Sequence, residues 1–191
     1  MKIRLVLILT FLSAFNLHSQ WYWQNPLPLN NSLNSVKFIN QNIGWATGEF
    51  GTIIKSTNGG MDWFEQSSPT NKTLNTLYFI NENNGWAIGE NGIIIKTTDG
   101  GNNWSFCNTN QLHELKTIYF IDENIGWVAG ENGFISKTTD AGTNWEEQSI
   151  GTNYAINSLF FINANLGWAT GEGLILNTID GGENWTIQTF G

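Results

Sequence analysis

Apolar and polar residues alternate along this chain in short runs of four to seven positions, and no segment carries the 3.6-residue period of a helix. The runs recur. LNSVKFINQNIGWATGE at Leu33 returns as LNTLYFINENNGWAIGE at Leu74, LKTIYFIDENIGWVAGE at Leu115 and INSLFFINANLGWATGE at Ile156, each 41 residues after the last. Within the second copy the pattern predicts four strands, LNTLYFI, GWAIG, GIIIKTT and NWSFCN. They are rich in β-branched and aromatic residues and bounded by the turn sequences NENN, GENG and TDGG. Gly51, Gly92, Gly133 and Gly173 fall where a tight turn needs positive φ.

Four strands per repeat of about 40 residues is the signature of a propeller blade. The expected fold is therefore all-β, a β-propeller-type array of four-stranded antiparallel blades. The repeats span 33–73, 74–114, 115–155 and 156–191 within a domain covering 20–191. Closure stays open. WYWQ at Trp21 repeats the W-x-x-Q of the fourth strands at Trp63, Trp145 and Trp185, so an N-terminal outer strand near 21–24 is expected beside four complete repeats. A four-bladed ring with a spare strand, an open arc and part of a larger assembly all fit.

The turn between third and fourth strands is written four times, as STNGGMDW, TTDGGNNW, TTDAGTNW and TIDGGENW. Asp99, Asp140 and Asp180, with Asn58 in the first copy, are suited to accept backbone N–H groups and fix the turn. Gly60, Gly101, Gly142 and Gly182 supply conformations that a Cβ forbids. Trp63, Trp104, Trp145 and Trp185 are placed to fold over adjacent strands, burying about 200 Å² each. The turn reads as a structural fastener. The second-strand tryptophans, Trp45, Trp86, Trp127 and Trp168, read as filling between blades.

The first residues change the charge account. MKIR, the apolar run LVLILTFLSAF and the polar NLHSQ form an expected signal peptide over 1–19, with cleavage after Ser19. Export to the periplasm, cell surface or exterior is the expectation. Removal of Lys2 and Arg4 leaves six lysines, no arginine and sixteen acidic residues, a net charge of −10. Such a chain repels nucleic acid and anionic lipid. Cys107 is a lone cysteine and reads as a small buried apolar residue. No cofactor or metal motif is present.

The S/T-x-D-x-G-x-x-W turn is the Asp-box pattern, found in sialidases and other propeller proteins. Together with the preceding GWA-x-GE-x-G it resembles the photosystem II stability/assembly factor-like (BNR-type repeat) family, from Trp21 to Gly191. The leader and the WYWQNPLP opening resemble secreted Bacteroidetes members. The resemblance implies a non-enzymatic propeller that binds or assembles other proteins. Sialidases grip a carboxylate with three arginines, and the mature chain has none, so sialidase activity is excluded.

Two sets of residues remain as binding candidates. Glu49, Glu90, Glu131 and Glu172 repeat in the turn between second and third strands, where they could ring the mouth of a central channel and attract a basic peptide or cation. The linkers SSPTNKT, NTNQLHE and SIGTNYA are the least repetitive segments and share that face. Lys72, His113 and Tyr154 lie in them. The expected function is a secreted, non-enzymatic scaffold recognising a protein or peptide through this face, with self-association compatible. The alternative is a carbohydrate-binding or glycoside-hydrolase-like surface protein.

Overall fold

The computed structural model describes residues 31–109 and 112–188. The leader and the Trp21–Gln24 segment lie outside the described residues. Four sheets follow one another, each a four-stranded antiparallel meander in chain order. Blade 1 holds β1 (Leu33–Phe38), β2 (Gly44–Gly48), β3 (Ile53–Ser56) and β4 (Phe64–Glu65). Blade 2 holds β5 (Leu74–Phe79), β6 (Gly85–Gly89), β7 (Ile94–Thr97) and β8 (Ser105–Phe106). Blade 3 holds β9 (Leu115–Phe120), β10 (Gly126–Gly130), β11 (Ile135–Thr138) and β12 (Glu146–Gln148). Blade 4 holds β13 (Ile156–Phe161), β14 (Gly167–Gly171), β15 (Leu174–Thr178) and β16 (Thr186–Gln188). The fourth strands are shorter than the six residues the pattern gave NWSFCN. Their residues are largely solvent-exposed, so little burial rewards extending the ladder outward.

The first strands lie side by side, β1 against β5, β5 against β9 and β9 against β13. Each is bulged near its start, at Leu33/Ser35 and the equivalent places in the other blades. In blades 1 and 2 the extra residue reaches across: Asn34 Nδ2 donates to the Leu74 carbonyl at 3.2 Å and Asn75 Nδ2 to that of Leu115 at 2.9 Å.

The core is divided among the blade interfaces. One cluster joins Trp45 and Ile53 of blade 1 to Leu74, Leu77, Phe79, Ala87 and Ile95 of blade 2. A second repeats it between blades 2 and 3, and a third between blades 3 and 4. At the centre of each, a second-strand tryptophan stacks on a phenylalanine of the next blade. Trp45 lies on Phe79 at 3.6 Å, Trp86 on Phe120 at 3.7 Å and Trp127 on Phe161 at 3.5 Å. The Asp-box tryptophan then meets that phenylalanine edge-on, as Trp104 does Phe79 at 5.9 Å. Glycine before the second-strand tryptophan makes the room: a Cβ on Gly85 would stand 2.5 Å from the Phe79 ring.

Trp45 Nε1 also donates to the Gly100 carbonyl, Trp86 Nε1 to Ala141 and Trp127 Nε1 to Gly181, at 3.0–3.1 Å. Lys55, Lys96 and Lys137 lie over the same three indoles at 5.2–5.6 Å. Cys107 packs half-buried beside the second interface, and burial pushes its thiol up to about 11. It is a thiol, not a thiolate, at neutral pH. Among the described residues no helix is long and apolar enough to cross a membrane.

Candidate functional site

The two ends of each blade differ in chemistry. At one end the Asp-box turn closes on itself. Thr97 Oγ1 accepts from Gly101 N at 2.9 Å and donates to Asp99 Oδ1 at 2.9 Å. Asp99 in turn accepts from Asn103 N at 2.9 Å and Asn103 Nδ2 at 2.7 Å. Asp140 and Asp180 repeat the arrangement with Asn144 and Asn184. The Asn184 amide and backbone hold Asp180 down at about 2, and equivalent bonds lower Asp99 and Asp140. In blade 1 the pair is exchanged: Asn58 Oδ1 accepts from Asp62 N and Asn58 Nδ2 donates to Asp62 Oδ2.

The box is also tied to the turn joining first and second strands, through Gly59 N to Asn42 O, Gly100 N to Asn83 O, Ala141 N to Asn124 O and Gly181 N to Asn165 O. Asp99, Asp140, Asp180 and the glycine amides are thus engaged in holding the turn and tying it to its neighbour. Thr97→Val should cost about 1–3 kcal/mol, because the buried Gly101 N–H loses its acceptor while side-chain volume is conserved. Urea melts would measure it, and a loss below about 0.5 kcal/mol would mean that the hydroxyl does not fasten the turn.

At the other end the turns between second and third strands pack against the inter-blade linkers. Gly92 O accepts from Thr109 Oγ1, while a Cβ on Gly51 or Gly133 would meet the linker carbonyls of Thr70 and Thr152. Glu49, Glu90, Glu131 and Glu172 each donate their backbone N–H to the residue just before a first strand, Ser32, Thr73, Glu114 and Ala155. All four therefore stand at equivalent points beside the innermost strands.

Their side chains are not equivalent. Glu49 and Glu90 turn back to accept the N–H of Ser32 at 3.2 Å and Thr73 at 3.3 Å. Hydrogen bonds from Thr73 hold Glu90 below the usual carboxylate range, with Lys72 adding a smaller pull. Glu131 pairs with Lys116 at 3.7 Å. Glu172 lies in the shorter GEG turn and is exposed.

The linker residues share this end. His113 stacks on Phe134 at 5.0 Å and lies 3.5 Å from Asn132 Nδ2. Lys72 and Tyr154 are exposed. Phe50 is not among the candidates the sequence singles out. It occupies a turn column in which blades 2 and 3 have Asn91 and Asn132, and all three adopt left-handed backbone, φ 54–57°. Asparagine tolerates that region and phenylalanine does not, yet Phe50 is 70 % exposed and lines an open cleft with Asn31, Glu65 and Ser68. Its departure from the Asn column is the signal in the sequence. Among the described residues no group of His, Cys, Asp and Glu is placed to hold a metal ion.

A family model described as Photosynthesis system II assembly factor YCF48 matches residues 14–114 and again 107–189. The chain belongs to this family. Among solved structures it is similar to one described as YCF48 bound to D1 peptide, with 17 % identity, 85 % of this chain and 83 % of that one covered, and a TM-score of 0.58. It is also similar to YCF48 from Cyanidioschyzon merolae, with 22 % identity, 88 % and 60 % covered, and a TM-score of 0.68. An ancestral GH74 enzyme shares 16 % identity over 87 % of this chain but only 25 % of its own, with a TM-score of 0.70. A comparison with proteins of curated function gives no match. At these identities the structural likenesses establish the propeller fold.

Proposed function

We propose that this YCF48-family chain is an exported, non-enzymatic scaffold that binds a peptide or protein segment on the face carrying the second-to-third-strand turns and the linkers. The observation that carries the reading is Phe50, an exposed aromatic held in left-handed backbone next to an acidic turn. Residues held in such strained backbone cluster at binding and catalytic sites. Around it the same face bears exposed Tyr154, stacked His113, Lys72 and the four glutamates, a mixture suited to an apolar segment with basic flanks. A YCF48 propeller of similar fold is described with a D1 peptide bound, which supports a peptide as ligand class. Catalysis is disfavoured at Glu90, whose depressed carboxyl is the reverse of what a general acid needs.

The test selects peptides from a display library on the mature chain, then measures Phe50→Asn by calorimetry and melting. The variant should bind at least tenfold more weakly while melting at the same temperature or higher, since asparagine relieves the turn. Unchanged affinity sinks the assignment of Phe50. Replacing Glu90 and Glu131 by Gln should weaken binding further and flatten its salt dependence. Strong, specific retention on a glycan array without peptide binding would favour the carbohydrate reading instead.

A further inference from the structure

Three equivalent interfaces join the four blades, and the chain's two outer faces carry residues equivalent to those buried in them. The leading face of blade 1 repeats the residues that the other blades bury. Val36 is 62 % exposed, whereas its equivalents Leu77, Ile118 and Leu159 are 5–6 % exposed. Phe38 already meets Trp63 edge-on at 5.7 Å and 81°, but no indole stacks on its open side among the described residues. The trailing face of blade 4 holds the complement. Trp168 is partly exposed where Trp45, Trp86 and Trp127 are fully buried, and Phe160 and Ile162 are largely open to solvent.

We propose that a second copy of the chain covers both faces, so that two copies join head to tail into a closed eight-bladed ring. The three internal interfaces supply the template for the contacts. Trp168 would stack on Phe38 of the second copy, and its Nε1 would donate to the Gly59 carbonyl, as Trp45 does to Gly100. Asn157, exposed beside the bulge, would reach the Leu33 carbonyl, as Asn34 reaches that of Leu74. Large apolar side chains gathered on a sheet face mark an interaction surface. The contact is heterologous, so it either closes by rotation or grows into a filament. Propeller rings hold about four to eight blades, and two arcs of four reach the upper end of that range.

One replacement tunes the strength. Asn177 stands where Lys55, Lys96 and Lys137 cover their indoles. The junction between copies therefore lacks one cation–π contact and one charged donor of the kind Lys55 gives Gly100 at 2.9 Å, and should be weaker than the three within the chain.

Light scattering on the chain from Gln20 onward should give twice the single-chain mass. Val36→Glu, on the leading face, and Phe160→Glu, on the trailing face, should each give the single-chain mass while keeping the β circular-dichroism spectrum and a cooperative melt. Mixed together, the two variants should restore a two-copy species, because each retains the half that the other lost. A single-chain mass for the unmodified protein at high concentration would overturn the proposal, as would a ladder of larger species. So would persistence of the two-copy mass in either variant, or variants that fail to pair on mixing.

Discussion

Trp86→Ala is expected to destabilise the fold by about 3–5 kcal/mol, the usual cost of emptying a fully buried aromatic site. The indole is fully buried between blades 2 and 3, flat on Phe120 at 3.7 Å, with Lys96 over its ring and Nε1 bonded to Ala141 O. Truncation removes all of these together and leaves the Ala141 carbonyl without its donor. The interface has little means of collapsing, because β5 and β9 hold the flanking first strands side by side. Trp168→Ala provides the internal comparison. Measured on the single chain, this partly exposed residue should cost well under half as much. Urea-induced unfolding of both variants checks the ranking, and equal losses would show that the internal tryptophans do not gain their weight from stacking on the next blade.

The second large effect is expected at Gly133. Its φ is +69°, and a Cβ there would run into the backbone carbonyl of Thr152. Gly133→Ala thus combines left-handed strain, about 1–2 kcal/mol, with a backbone clash that only displacement of the linker can relieve. The total should reach about 3 kcal/mol or more. Gly173→Ala isolates the strain: φ is +72°, but nothing lies within 4 Å of the added methyl. It should cost only the 1–2 kcal/mol of the backbone. Because the displaced linker carries Tyr154, Gly133→Ala should also weaken ligand binding at temperatures where the protein is still folded. Melting curves and calorimetry on the pair test both parts. Equal stability of the two alanine variants would rule out the clash.

Much of this architecture can be read in the chain before any coordinates. Four near-copies at one spacing give the blade count, and alternation within each copy places the strands. The Asp-box sequence also gives its own turn, because Thr, Asp, Gly and Asn act within seven consecutive residues. What lies between blades is harder to read. That Trp45 stacks on Phe79 depends on two residues 34 positions apart, and nothing in either repeat alone fixes that register.

The glutamates show a different obstacle. Their column is plain, but whether a carboxylate points outward or bends back to Ser32 or Thr73 depends on turn geometry. Phe50 looks like ordinary variation in a turn column; what sets it apart is that it shares the left-handed φ of Asn91 and Asn132 without asparagine's tolerance for that region. The exchange of Asn58 and Asp62 is half visible in sequence: the substitution at 58 is plain, and its compensation four residues on is not.

The offset of one repeat between every pair of touching blades has a consequence for chain entropy. Each interface closes a loop of the same modest length, whatever the number of blades before it, so adding or deleting a whole repeat changes the closure cost of no other interface. The contacts between neighbouring blades among the described residues are local on that scale, and the order in which these blades dock carries no topological penalty. Array length is therefore a variable that selection can alter in units of 41 residues without redesigning a core.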